Sequence, residues 1–245
     1  HNLSDVVSLV LSLIAFRLAR VKPTASYTYG YRKSTVLVSL LNACILLVAV
    51  GVILVESVRK LYDPQPVDGD SIAWVAGIGI VINAFTAWLF IRDKEKDLNV
   101  KGAYLHMAAD TLVSVGVLVS GIVIRLTGWY AIDPVVGIAI ALVILFSTSK
   151  LLHDSLRLSL DGVPVGIDSE RVRRSITETD HHVHIWAIST TQNALTAHVV
   201  VRSLDDAEEL KHEIKHRLEH EGIGHATLEF ELCGEHCAKE CPECR

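Results

Sequence analysis

Residues 99–125 read NVKGAYLHMAADTLVSVGVLVSGIVIR. From about residue 100 onward the stretch is apolar enough to cross a bilayer, whose ~30 Å hydrocarbon core needs ~20 residues of helix. Yet it carries His106 and Asp110 near its start. Side chains four residues apart share one face of a helix, so this imidazole and carboxylate point the same way. The chain opens on the same step, His1-Asn-Leu-Ser-Asp5, at the edge of another apolar run. Ionising an aspartate within a membrane helix costs ~2.5–3.5 kcal/mol on the gentler insertion scale, which makes such residues functional candidates by default. Brought together, His1, Asp5, His106 and Asp110 make a tetrahedral nitrogen–oxygen set suited to zinc.

Four more apolar runs flank this one, giving expected spans at about 1–19, 35–58, 71–91, 100–125 and 132–153. Breakers separate them: Pro23, Pro64-Gln65-Pro66, the charged run Arg92 to Lys96, and Gly128 to Pro134. The mean hydropathy of +0.37 averages two unlike parts. The apolar runs end near residue 160, and the remainder of the chain is charged and rich in His. The expected organisation is a transmembrane domain over 1–162, a soluble domain over 163–232, and a Cys-rich tail over 233–245. A net charge of −5, with cations clustered only beside apolar runs, gives no reason to expect a nucleic-acid partner.

The loops give the topology. Arg17, Arg20, Lys22, Arg32 and Lys33 mark one loop, and Arg92, Lys94, Lys96 and Lys101 another. In the intervening loop Arg59 and Lys60 are offset by Asp63, Asp68 and Asp70, and the loop near 128 has no cation. The positive-inside rule places the two basic loops, and everything after 153, in the cytoplasm. The first visible span then enters from outside, so one further helix is expected before it, making a bundle of six.

Four ligands leave no open position for water, which suits binding better than hydrolysis. Protons compete with metal for imidazole and carboxylate, so metal binding releases protons and protonation expels metal. The remaining polar groups have plainer readings. Asn42, Asn83 and Glu56 read as hydrogen-bonding or capping groups without a metal role. Gly77, Gly79, Gly116, Gly121 and Gly137 are expected to permit close helix packing, and His153 with Asp154 reads as an exposed pair.

The motifs carry a family resemblance. His1-Asn-Leu-Ser-Asp5, Tyr29-Gly-Tyr-Arg-Lys33, Leu40-Leu-Asn-Ala43 and Glu56-Ser-Val-Arg59 with Pro64 are followed by Asn99 to Asp110, Ser114-Val-Gly-Val117, Asp133-Pro134 and Asp161-Gly-Val-Pro164. In this order the chain resembles the cation diffusion facilitator family of zinc transporters. The resemblance implies that His1, Asp5, His106 and Asp110 are the transport-site ligands, in the His/Asp set of zinc-selective members. It also implies export of cytoplasmic metal against a proton gradient by a V-shaped homodimer. Thr35 stands where relatives often carry Glu, which reads as subfamily variation. The 92–101 loop lacks the His-rich insert of many eukaryotic relatives, which favours a bacterial inner membrane.

After the spans, residues 168–179 open like a capped helix, His184–Thr190 and Leu195–Arg202 read as strands around a Gln192-Asn193 turn, a helix runs to about His220, and His225–Leu232 alternates like a third strand. The α-β-β-α-β order gives a small open-faced α+β sandwich; the resemblance implies the family's ferredoxin-like cytoplasmic domain. By the same resemblance, His184, His198, His225 and Glu231 match positions where relatives often place regulatory zinc ligands, with ordinary polar strand residues as the alternative. His212, His216 and His220 form one solvated helix face, and His181 and His182 read as loop residues. The tail brings Cys233, His236, Cys237, Cys241 and Cys244 together at chelating spacings, a metal signal in a reducing compartment.

The expected function is secondary active export of Zn²⁺, with Cd²⁺ or Co²⁺ as related cargo, in exchange for protons. No resident cofactor is expected; zinc enters as cargo and as regulatory ion. An intramembrane metalloenzyme would need an open coordination position and a general base, and no residue beyond the four ligands offers one. A metal-sensing membrane subunit without transport of its own is the remaining alternative.

Overall fold

The protein is described by a computed structural model over residues 2–62, 69–176, 180–201, 203–204 and 207–232. It forms two compact units, 1–22 with 34–156, and 23–33 with 157–245.

The first unit is helical. Its helices are α1 (Asn2–Ala19), α2 (Ser34–Tyr62), α3 (Gly69–Phe90), α4 (Leu98–Thr127) and α5 (Ile132–Ser159), the last of which runs on into the second unit. Each matches one expected span. Among the described residues α2, α4 and α5 are long and apolar enough to cross a membrane, and α1 and α3 contribute shorter apolar stretches over Val10–Ala19 and Ile80–Phe90. Large apolar side chains point outward throughout, among them Val55, Trp88 and Phe146, the last 80% exposed. A water-soluble unit of this size rarely presents so continuous an apolar surface; hydrocarbon is the solvent that fits it.

Local chemistry sets the helix ends. Asp97 caps α4, its carboxylate accepting the Asn99 N–H at 2.8 Å. Gly128, at φ +70°, ends α4 in the left-handed conformation that favours glycine, and its N–H reaches the Ile124 carbonyl at 2.7 Å.

Small residues set helix spacing at two places. A Cβ at Gly116 would lie 2.4 Å from Ile140 Cδ1, so α4 and α5 approach closely there. A Cβ at Gly137 would lie 2.4 Å from Ser57 Oγ, where α5 meets α2. Among the described residues Gly77 and Gly121 have nothing within 4 Å of that position, so the packing role expected of them does not hold there. On the side of these approaches nearer the start of α4, Leu46, Val50, Ala109, Ala141 and Ile144 form the buried apolar core of α2, α4 and α5.

The second unit contains α6 (Ser169–Ile176), β1 (Asp180–Ser189), β2 (Gln192–Val201), α7 (Ala207–His220) and β3 (His225–Leu232). The sheet order is β1-β2-β3, with β1 antiparallel and β3 parallel to the central β2. A parallel neighbour needs a crossover, and α7 supplies it. Strand side chains alternate between faces. Val183, Ile185, Leu195, Ala197, Val199 and Val201 therefore join Val172, Ile176, Ile214 and Leu218 of the two helices in one buried core. The other face of the sheet carries the polar residues.

Two local expectations change. The hairpin turns at Thr190-Thr191, with Gln192 already paired to Ser189, because Ser189 Oγ accepts the Thr191 N–H at 3.2 Å and closes the bend one step early. His181 and His182 lie in β1, not in a loop. The register shifts between His181 and Val183, and His182 sits at that bulge with φ +68°, buried.

Candidate metal-transport site

His106 is buried at 6% exposure on α4, and Asp110 lies half-buried one turn further along. Asp5 lies within α1, and His1 falls outside the described residues. Contacts between the helices establish where α1 stands relative to α4. Asn42 Nδ2 of α2 donates to Ser12 Oγ of α1 at 3.1 Å, and Asn42 Cβ faces Gly102 of α4, 3.8 Å from where a Cβ there would be. Ser12, Asn42 and Gly102 thus occupy one level.

Further contacts give the helix directions. Ser34 bonds the Ala15 carbonyl, so α1 and α2 run antiparallel. Asn99 Nδ2 donates to the Thr35 carbonyl at 3.0 Å and Gly102 faces Asn42, so α2 and α4 run parallel. At ~1.5 Å per residue, Asp5 lies about 10 Å along the bundle from the Ser12 level. His106 and Asp110 lie about 6 and 12 Å from the Gly102 level in the same direction. The α1 position carrying Asp5 therefore falls between the levels of His106 and Asp110, on helices that touch one another.

Below this level, toward the starts of α2 and α4, the helices are tied by buried polar contacts. Lys101 Nζ pairs with Asp154 Oδ2 at 2.9 Å, with their side chains only 15% and 7% exposed. Asp154, expected at the surface, is buried because α5 turns it inward against α4; its neighbour His153 is exposed. Ser39 and Ser155 share a hydrogen bond at 2.8 Å between α2 and α5. At the opposite end Lys60 bonds Asp133 at 3.0 Å, again joining α2 to α5. An ion pair thus sits at each end of the bundle. In the sequence Lys101 is only a topology signal, and nothing in its local pattern announces a partner 53 residues away.

In the second unit the residues expected to share a metal site are spread over the open sheet face. His198 and Glu231 meet, Nδ1 to Oε1 at 2.5 Å, and Glu229 approaches the other ring nitrogen at 3.6 Å. The imidazole therefore lies between two carboxylates on opposite edges of its ring, and one must swing aside before a metal can share that nitrogen. His182 stacks edge-on to His198 at 5.5 Å, a neighbour that a loop reading of His182 does not provide. His184 is exposed and pairs in register with Thr196.

His225 pairs with Ala194, four residues along β2 from His198, or about 13 Å at ~3.3 Å per residue. Its ring packs edge-on against Tyr29 at 5.7 Å, so it is not brought to the His198–Glu231 pair. His212, His216 and His220 lie on α7, where His216 and His220 stack edge-on at 4.8 Å along one helix face. The tail ligands Cys233, His236, Cys237, Cys241 and Cys244 lie outside the described residues. Among the described residues no group of three or more His, Cys, Asp or Glu is arranged to hold a metal ion.

Comparison with known proteins decides the family. Residues 1–158 match the cation efflux transmembrane domain. The chain belongs to the cation efflux family. The membership expected from the motifs is thereby shown, and with it an integral membrane protein whose helical unit is the family's transmembrane domain. Curated members of the cation efflux family align over nearly the whole chain. The cadmium, cobalt and zinc/H(+)-K(+) antiporter of Bacillus subtilis (strain 168) is 34% identical over 241 residues, 94% of this chain and 78% of the relative. The zinc transporter ZitB of Escherichia coli (strain K12) is 35% identical over 239 residues, 94% of this chain and 76% of the relative. The metal cation efflux system protein CzcD of Cupriavidus metallidurans is 35% identical over 239 residues, 95% of this chain and 76% of the relative.

Proposed function

We propose that this cation efflux protein is a secondary active transporter that moves Zn²⁺, with Cd²⁺ and Co²⁺ as related cargo, out of the cytoplasm in exchange for protons. His1, Asp5, His106 and Asp110 are the ligands in this reading. The observation that carries it is the helix register, in which α1 at Asp5 stands level with His106 and Asp110. The names of the aligned relatives, a zinc transporter and a zinc/proton-linked antiporter among them, support the same cargo and coupling.

The ligand types account for the chemistry. Two carboxylates balance the charge of the dication, and two imidazoles supply nitrogen ligands at a coordination number zinc accepts. Each ligand must be deprotonated to bind, so loading from the cytoplasm releases protons and re-protonation from the other side ejects the ion. Homodimer assembly, a cytoplasmic second unit and residence in a bacterial inner membrane complete the reading. The His198–Glu231 pair is then what remains of the expected regulatory metal site in the second unit, and the Cys tail is a capture segment.

The test is zinc flux into liposomes containing the full-length protein under an imposed pH gradient, compared with Asp110→Asn. Gradient-driven flux should disappear in the variant while its helical content is kept. Wild-type flux in Asp110→Asn would remove the quartet from the mechanism.

A further inference from the structure

The buried oxygen atoms of the helical unit that have no hydrogen-bond partner among the described residues include Asn42 Oδ1 and Thr148 Oγ1. Both side chains are shut away from the surface, Asn42 at 5% and Thr148 at 0% exposure. The Asn42 amide nitrogen is directed to Ser12 on α1, which leaves its carbonyl oxygen unmatched between α1, α2 and α4. Thr148 differs from three other threonines in these helices. Thr86, Thr111 and Thr127 each satisfy the hydroxyl on a carbonyl one turn back, at 2.8, 2.8 and 2.7 Å. Thr148 has no such bond.

The positions of the two atoms are ordered along the bundle. Asn42 stands at the Gly102 level, four residues before His106. On α5, Leu151 also meets Gly102, while Ile140 meets Gly116 further along α4. Thr148, three residues from Leu151 toward Ile140, therefore stands about 5 Å from the Gly102 level, close to that of His106. Starting from the Lys101–Asp154 end, the order is Asn42, then Thr148 with His106, then Asp110. An unsatisfied polar group in a hydrophobic interior is costly, and these two oxygens stand at successive levels between the Lys101–Asp154 end and His106.

We propose that Asn42 Oδ1 and Thr148 Oγ1 are oxygen contacts for the divalent cation as it sheds water between the Lys101–Asp154 end of the bundle and the His/Asp quartet. This rests on the quartet being the transport site. Neutral oxygens suit the role because they replace hydration waters without trapping the ion as a further carboxylate would. They set how readily the ion reaches the quartet and take no share in the resting four-ligand coordination.

The experiment measures zinc flux against zinc concentration in proteoliposomes of the full-length protein and of Asn42→Leu, Asn42→Asp, Thr148→Val and Asp110→Asn. Tetrahedral Co²⁺ absorption reports the quartet, and thermal unfolding reports the fold. Asn42→Leu and Thr148→Val should each lower kcat/KM for zinc about tenfold, the scale of one lost contact to a charged partner, with the cobalt spectrum unchanged. Asn42→Asp should lower both KM and kcat, because an added carboxylate holds the ion. Thr148→Val should unfold no earlier than wild type, since it removes only an unmatched hydroxyl. Wild-type flux in Thr148→Val together with unchanged KM in Asn42→Asp overturns the proposal and leaves the quartet standing. Flux surviving in Asp110→Asn overturns the quartet instead. A purely structural role for Asn42 would show as lowered unfolding temperature in both Asn42 variants with KM unmoved, and would also overturn the proposal.

Discussion

In the α+β unit, His198 and Glu231 meet because β2 and β3 are hydrogen-bonded neighbours; in the helical unit, His106 comes level with Asp5 with no backbone bond between their helices. The first arrangement is quantised. A strand repeats every two residues, so His198, Glu229 and Glu231 must share one face once the pairing register exists, and His225 must stand four residues away. The second is set by side chains alone. Gly116, Gly137, the Asn42–Ser12 bond and the Lys101–Asp154 pair fix how far each helix slides past the next. The solvents differ as well. The sheet core gains by leaving water, whereas the helices lie in hydrocarbon as apolar as their own leucines, so packing and polar contacts must do the holding.

Removing the strongest of these ties should separate the two regimes most clearly. Lys101→Ala leaves Asp154 buried without its cation, and should destabilise the helical unit by ~3–5 kcal/mol. A matched Lys101→Met, Asp154→Leu pair should recover most of that loss, measured as unfolding in detergent; no difference between single and double variants would mean the pair is not holding α4 to α5. Next, Leu195→Ala in the sheet core should cost ~2–5 kcal/mol, through lost burial and a residual cavity. Phe146→Ala on the outward face of α5 removes a larger side chain, yet it should cost under ~1 kcal/mol in a bilayer because that ring never leaves an apolar solvent. Equal losses at the two positions would place Phe146 in a protein contact rather than in lipid.

Smaller effects resolve each site in turn. His198→Ala should weaken zinc binding by the second unit about tenfold, about 1.4 kcal/mol, whereas His225→Ala should leave it unchanged. Isothermal titration of the full-length protein already carrying Asp110→Asn reads that site apart from the quartet, and equal losses would bring His225 into the site. Last, Gly116→Ala should cost ~1–3 kcal/mol by overpacking against Ile140 and Val136. Gly121→Ala meets open space and should be neutral or slightly stabilising, as expected for alanine in a helix.

Much of the fold is legible in the sequence because its periodicities are local. The apolar lengths locate all five helices to within a few residues at their starts, and strand alternation places β3 correctly at His225–Leu232. The hairpin between β1 and β2 lies elsewhere than the amide pair suggests, because hydroxyls close it. The bulge at His182 is illegible, since a left-handed histidine leaves no mark in composition. Asp154 reads as exposed because its neighbour His153 is, and only the rotation of α5 separates the two.

The functional residues divide along the same line. Sequence alone supplies the candidate ligand types and their four-residue steps, because a helix carries i and i+4 on one face wherever it occurs. It also establishes the family, through motifs spread from His1 to Pro164. Tertiary packing was needed to bring Asp5 level with His106, to match Lys101 with Asp154, and to leave the buried oxygens of Asn42 and Thr148 unmatched. Those facts depend on the relative slide and rotation of separate helices. Such displacements arise from long-range packing, and no local periodicity encodes them.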